Sequence, residues 1–104
     1  MSYIMLQMEP GKLYQLRNLK RNKRETCMTA YQKTLVNCGA YGWPGKGRRY
    51  TDGDVFLCVS EEMLPEYNHD RRAGIPRAYR VLTPAGDIVR VWRDGNKTKF
   101  KEVK

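Results

Sequence analysis

Short segments in which apolar and polar residues alternate are separated along this chain by turn-forming residues. Residues 12–17 follow a Pro-Gly turn and predict a first strand. Residues 55–59 form a continuous apolar run, which is typical of a strand buried on both faces. Residues 78–83 and 87–92 flank a Pro-Ala-Gly turn and predict a tight antiparallel hairpin. Residues 99–103 alternate like a short edge strand, whose lysines discourage edge pairing.

Three other segments are less regular. In residues 25–36, Met28, Tyr31 and Leu35 fall at helical spacing while the threonines favour a strand, and we interpret the stretch as a short helix or an irregular excursion. Residues 39–49 contain four glycines and a proline, and this composition predicts a loop. Residues 60–76 are polar and predict a long loop, with one helical turn at 61–64 as an option.

These elements predict a mainly β fold. The chain has 104 residues, a length that fits a single domain over residues 1–104. We expect a small antiparallel barrel of about five strands, with a long basic early loop and at most one short helix.

The order of these elements resembles that of small SH3-like barrels. The resemblance is carried by Pro-Gly-Lys-Leu-Tyr at 10–14, Gly-Asp-Val-Phe-Leu at 53–57, Tyr-Arg-Val-Leu-Thr-Pro-Ala-Gly-Asp-Ile-Val at 79–89 and Phe-Lys-Glu-Val at 100–103. Among such proteins the chain is most similar to short accessory proteins of large-genome tailed bacteriophages. The resemblance implies an SH3-like barrel, but SH3-like barrels bind peptides, proteins, RNA and DNA alike, so it implies no single role.

Charge narrows the choice of partner. The formal net charge is +9, and residues 1–52 hold +7 of it. A basic field this uneven attracts polyanions and speeds their encounter with the protein. No apolar run approaches the roughly 20 residues that a membrane helix needs, and the first residues lack the basic start of a signal peptide. We therefore expect a cytoplasmic protein (in the host cytoplasm if it is viral) with no membrane partner.

The spacing of the Cys, His, Asp and Glu residues does not match that of a known metal site or acid–base catalytic site. The three cysteines form no CxxC pair, so their spacing does not fit a zinc site, and we expect reduced thiols, with a Cys27–Cys38 bridge as the alternative. The acidic cluster Glu61, Glu62, Glu66, His69 and Asp70 follows no hydrolase or metalloprotease spacing and is interpreted as a solvated polar loop. The glycine-rich segment at 42–47 lacks the first glycine and the Ser or Thr of a phosphate-binding P-loop. We expect no cofactor, no metal and no enzymatic activity.

Basic residues interleaved with aromatic ones are the strongest functional signal. Base stacking on aromatic rings beside cations that neutralise phosphates is how sequence-tolerant single-strand binders work. Alternation in the last hairpin places Val89 and Val91 on one face and Arg90 and Trp92 on the other. If the valines face the core, Trp92 is exposed beside Arg90, whereas the opposite interpretation makes both tryptophans core residues. The candidate binding residues are Arg17, Lys20, Arg21, Lys23, Arg24, Trp43, Lys46, Arg48, Arg49, Arg80, Arg90 and Trp92.

The leading hypothesis from sequence is a non-enzymatic accessory protein that binds nucleic acid, RNA or DNA, or a nucleic-acid-associated assembly. The alternative is a phage-type interaction module that docks on an acidic surface of a host protein. A virion structural component is the third hypothesis.

Overall fold

The chain folds into one curled β-sheet. The structure is a computed structural model and describes residues 6–17, 27–38, 47–63, 78–93 and 99–104. Within these ranges the chain forms eight strands and no helix. In chain order they are β1 (Leu13–Leu16), β2 (Cys27–Tyr31), β3 (Thr34–Cys38), β4 (Arg48–Tyr50), β5 (Val55–Glu62), β6 (Ala78–Leu82), β7 (Ile88–Trp92) and β8 (Phe100–Glu102).

The strand order in the sheet is β4-β2-β3-β7-β6-β5-β1-β8. Neighbouring strands are antiparallel except β3 and β7, which are parallel and share the register pair Thr34↔Arg90. The mainly β prediction is confirmed. All five strands that the alternation predicts are present as β1, β5, β6, β7 and β8, and three further strands, β2 to β4, lie beside them.

One face of the sheet encloses the core. Side chains from nearly every strand are buried on this inner face, among them Leu16, Met28, Leu35, Phe56, Val81 and Val91. Phe56 packs edge-on against Tyr50 at 5.2 Å between ring centroids and against Phe100 at 5.8 Å. Because Tyr50 and Phe100 belong to the first and last strands of the sheet order, these contacts show that the sheet curls around a shared core.

The last hairpin forms as the alternation predicts. Strands β6 and β7 pair from Ala78↔Trp92 to Leu82↔Ile88. Val89 and Val91 are buried at 3% and 0% exposure, so the other face of β7 points away from the core. The turn is closed by Thr83, whose hydroxyl accepts a hydrogen bond from the Asp87 amide.

Residues 27–36, the described part of the 25–36 segment, are not helical, so that interpretation is wrong for them. Strands β2 and β3 form an antiparallel hairpin with a two-residue turn at Gln32 and Lys33. Met28 and Leu35 both reach the core, but from neighbouring strands rather than from one stripe of a helix. The β-branched threonines therefore indicated the structure correctly, since such side chains fit a pleated, half-buried surface.

Strand β5 also differs from expectation. It continues to Glu62, so the option of a helical turn at 61–64 is wrong for Glu61 and Glu62. It is buried on one face only, because Phe56 and Cys58 lie in the core while Val55 and Val59 are exposed. An apolar run therefore does not require burial on both faces of a strand.

The predicted loop at 39–49 ends earlier than expected, because Arg48 and Arg49 belong to β4. Gly47 precedes this strand with a φ of 146°. A Cβ atom at this position would overlap the carbonyl oxygen of Ala30 on the neighbouring strand β2. Glycine is thus required where β4 joins the sheet.

The cysteines fall into two classes. Cys27 is disulfide-bonded, and its partner across the β2–β3 ladder is Cys38. Cys58 is a free, buried thiol, and burial raises its pKa to about 11. The prediction of reduced thiols is wrong for Cys27 and confirmed for Cys58. In the part of the chain that the structure describes, no helix is long and apolar enough to cross a membrane.

Candidate nucleic-acid interface

The candidate residues of the last hairpin lie together on its outer face. Arg80 and Arg90 are directly opposite each other in the β6–β7 ladder. The Arg90 guanidinium carbon lies over the Trp92 ring, 5.3 Å from its centroid. Arg80 is exposed, whereas Arg90 and Trp92 are partly buried. Trp92 is thus outside the inner core and forms a cation–π contact with Arg90.

Arg90 is held in place by Glu62 from two strands away. Its Nε donates to Glu62 Oε2 at 2.8 Å and its Nη2 donates to Oε1 at 2.6 Å. The side chains are 34% and 20% exposed. On β6, the strand between them, Ala78 pairs in register with both Glu62 and Trp92. A bidentate ion pair of this kind fixes the plane of the guanidinium as well as its position.

The pair also fixes the charge state of Glu62. The hydrogen bond from Arg90 is the main cause that lowers the pKa of Glu62, and the nearby charges of Arg90 and Arg80 add to it. Burial acts in the opposite direction but does not prevail. Glu62 is therefore ionised at neutral pH, and its oxygens are engaged by Arg90.

A groove lies beside this pair, where the β2–β3 hairpin meets β7. Its volume is about 320 Å³, near the lower end of the roughly 300–1,000 Å³ usual for ligand pockets. The backbone amide of Arg90 donates to the Lys33 carbonyl at 2.7 Å and holds the hairpin turn against β7. The lining residues are Gln32, Lys33, Thr34, Glu62, Arg80, Ile88, Val89 and Arg90.

The other candidate residues that the structure describes, Arg48, Arg49 and Arg17, lie at different distances from this cluster. Arg48 on β4 approaches Asp87, in the turn before β7, with 4.0 Å between Nε and Oδ2, but both side chains are well exposed and so the contact is weak. Arg49 is exposed on the same edge strand. Arg17 is exposed beyond β1, and its amide donates to the Lys99 carbonyl on the β8 side of the sheet. The structure therefore brings together Arg80, Arg90 and Trp92, and does not bring Arg17 to them.

The remaining candidates lie outside the described residues: Lys20, Arg21, Lys23, Arg24, Trp43 and Lys46. Glu66, His69 and Asp70 of the acidic cluster also lie outside them. Among the residues that the structure does describe, no group of three or more His, Cys, Asp or Glu side chains is arranged to hold a metal ion.

Sequence reasoning missed four contributors to this surface: Gln32, Lys33, Thr34 and Glu62. The turn at Gln32 and Lys33 contains no glycine, asparagine or proline, which are the usual signals of a tight hairpin. Glu62 could have been found by extending the alternation of residues 55–59 into the polar stretch that follows. Its contact with Arg90 could not have been predicted in this way, because that contact depends on the order of the strands in the sheet.

Comparison with known proteins gives no relative from which to transfer a role. No family model matches the chain, and neither the curated proteins nor the solved structures contain a match.

Proposed function

We propose that this protein binds nucleic acid without catalysing a reaction, through the outer face of β6 and β7. The observation that carries the proposal is the arrangement of Arg80, Arg90 and Trp92, with the Arg90 guanidinium over the indole ring and fixed by Glu62. We infer that it acts in the cytoplasm, in that of the bacterial host if the chain is encoded by a phage.

Physical chemistry supports this assignment in two ways. Flat surfaces formed by an indole ring and a guanidinium are suitable for stacking a base, which contributes about 1–3 kcal/mol per base. Cations beside such a surface neutralise the phosphates that accompany the base. Because Glu62 neutralises Arg90, Arg80 and the neighbouring Lys33 would supply most of the attraction for phosphate at this face.

The basic run at 17–24 would extend the same activity. It holds five cations in eight residues with no acid between them. With the cluster on β6 and β7, it would allow contacts to about six phosphates, which corresponds to a log–log salt slope near −5 on duplex DNA. Stacking and charge contacts of this kind are tolerant of base sequence.

We also propose that the five-strand part of the sheet is an SH3-like barrel. The five strands expected from the sequence are contiguous in the sheet, in the order β7-β6-β5-β1-β8, which places the last strand next to the first. The strands β2 to β4 then form an insertion within the long early connection. We propose, on the same resemblance, that the chain is related to the short accessory proteins of tailed bacteriophages.

The test is a fluorescence titration of a labelled single-stranded oligonucleotide. We expect the parent protein to bind at moderate salt and the Trp92→Leu variant to bind about 5- to 150-fold more weakly, the equivalent of losing one stacked base. Leu13→Ser is the control, because Leu13 is exposed on β1, away from the cluster, and we expect it to leave affinity unchanged. Failure of the parent to bind any oligonucleotide would reject the proposal.

A second candidate function, docking on a host protein, is favoured by a different observation. An apolar row crosses the outer face through the register pairs Leu13↔Leu57, Leu57↔Leu82 and Leu82↔Ile88. Leu13 is 44% exposed. Nucleic acid gains little from such a row, whereas the buried centre of a protein interface is apolar. Weaker binding to a protein partner by Leu13→Ser, with oligonucleotide affinity unchanged, would support this candidate.

A further inference from the structure

The side chains that line the groove beside Arg90 carry a net positive charge. Lys33, Arg80 and Arg90 contribute three positive charges, and Glu62 contributes one negative charge. The formal net charge of the lining is therefore +2. Because both carboxylate oxygens of Glu62 accept hydrogen bonds from Arg90, they are already engaged when an anion approaches.

Neutral donors complete the lining. The Thr34 hydroxyl group and the Gln32 side-chain amide can each donate a hydrogen bond to an oxyanion. Ile88, which lies on the same outer face of β7 as Arg90, supplies an apolar side. A polar anion with several acceptor oxygens is thus a better match to this groove than an apolar ligand or a cation.

The backbone of the groove is in an unfavourable conformation. Gln32 and Lys33 have φ values of 48° and 61°, in the left-handed region that residues other than glycine rarely adopt. A turn with two positive φ values strongly prefers Asn-Gly, and neither residue is present here. Strained residues of this kind persist where the surrounding structure enforces them, and they cluster at ligand-binding sites. In this hairpin the strain falls on two residues that line the groove.

We propose that this groove binds the terminal phosphate monoester of a nucleic-acid strand. The inference rests on the proposed function and assigns the strand end to a particular part of the surface. A monoester carries a charge of about −1.5 to −2 at neutral pH, with three acceptor oxygens, and so it matches the lining better than an internal diester, which carries one negative charge. The base of the terminal nucleotide would stack on the Arg90–Trp92 pair, since Arg90 belongs both to the groove and to that pair.

The experiment compares one labelled oligonucleotide with a 5′-phosphate, a 3′-phosphate or hydroxyl groups at both ends. We expect the parent protein to bind one phosphorylated form at least tenfold more tightly than the hydroxyl form. In the Lys33→Gln/Arg80→Gln double variant the preference should fall to less than twofold. In the matched Lys101→Gln/Lys104→Gln variant, which loses the same charge from the exposed β8 end, it should stay tenfold.

The outcomes separate this inference from the function on which it rests. Equal affinity of the parent for all three oligonucleotides overturns the groove assignment and leaves nucleic-acid binding in place. A preference that persists in the Lys33→Gln/Arg80→Gln variant also overturns it, provided that circular dichroism shows the fold of the parent. No binding to any of the oligonucleotides overturns both proposals.

Discussion

The two parts of the sheet differ in how clearly the sequence predicts their strands and in the contacts that hold those strands together. The part β7-β6-β5-β1-β8 consists of strands with clear alternation or apolar runs, joined by extended antiparallel ladders. The part β4-β2-β3 consists of strands with weaker patterns, although β2 and β3 are as long as β6 and β7. Among the described residues, a single parallel register pair, Thr34↔Arg90, connects the two. Further contacts join them, among them the Tyr50–Phe56 contact in the core, the hydrogen bond from the Arg90 amide to the Lys33 carbonyl, and the exposed ion pair between Arg48 and Asp87.

The comparison indicates why the candidate site lies where it does. In the larger part, ladder hydrogen bonds occupy the backbone groups and core packing occupies the inward side chains. Few polar groups there are left to line a binding site. At the junction the ladder is sparse, and a groove lined by charged side chains takes its place. Arg90 belongs to the ladder, the groove and the aromatic pair, so we expect its substitution to change both stability and the proposed binding.

The largest expected loss of stability comes from removing the aromatic contact that joins the two parts. Phe56 is fully buried and touches both Tyr50 and Phe100. We expect Phe56→Ala to lower the free energy of unfolding by about 3–5 kcal/mol, through lost burial and the cavity left behind. Val55→Ala on the exposed face of the same strand is the control and should cost under about 1 kcal/mol. Urea denaturation measures both, and equal losses would contradict the assignment of inner and outer faces.

The next effect concerns the smaller part alone. Gly47→Ala places a methyl group against the Ala30 carbonyl oxygen in a backbone conformation that favours glycine. We expect a loss of about 2–3 kcal/mol, because neither backbone can move without breaking the β2–β4 ladder. Gly86→Ala has a similar φ constraint but open space around it, and should cost about 1–2 kcal/mol. Thermal unfolding of the two variants compares them, and a smaller loss for Gly47→Ala would contradict the close packing of β4.

The strained hairpin gives a prediction in which stability and binding change in opposite directions. Replacing Gln32→Asn and Lys33→Gly supplies the sequence that the turn prefers, and we expect a gain of about 1–2 kcal/mol in stability. The same double variant removes a cation from the groove, so its preference for a phosphorylated strand end should decrease. Denaturation and oligonucleotide titration on one preparation measure both changes. A variant that is no more stable than the parent would show that the turn carries no strain.

The smallest expected effect is on the ion pair at the junction. A double-mutant cycle with Glu62→Gln and Arg90→Gln should give a coupling of about 1 kcal/mol or less, since the pair is partly exposed to solvent. Because the folded-state pKa of Glu62 is lowered, its contribution is complete above the ordinary value of 4.5 and is lost as pH falls through the lowered value. The acid limb of a stability–pH profile should therefore be shallower in Glu62→Gln. An unchanged acid limb would contradict the pair.

The same division explains what could be predicted from the sequence. The outward position of Trp92 beside Arg90 follows from alternation, because the inward position of Val89 and Val91 determines it. The β2–β3 hairpin could not be predicted with confidence, because Met28 and Leu35 satisfy a helical spacing by coincidence and the turn lacks its usual residues. The groove was inaccessible to sequence reasoning, since Lys33, Glu62 and Arg80 are distant along the chain and meet only through the strand order.

The measurement that tests nucleic-acid binding at this face most directly is the salt dependence of affinity for a single-stranded oligonucleotide. The affinity of the parent should decrease linearly on a log–log plot. Lys33→Gln/Arg80→Gln should flatten that slope by about 1.4, the expected change for two lost phosphate contacts on a single strand. Lys101→Gln/Lys104→Gln should leave the slope nearly unchanged. Equal flattening by the two double variants would mean diffuse attraction to a basic protein, and would contradict a defined interface on β6 and β7.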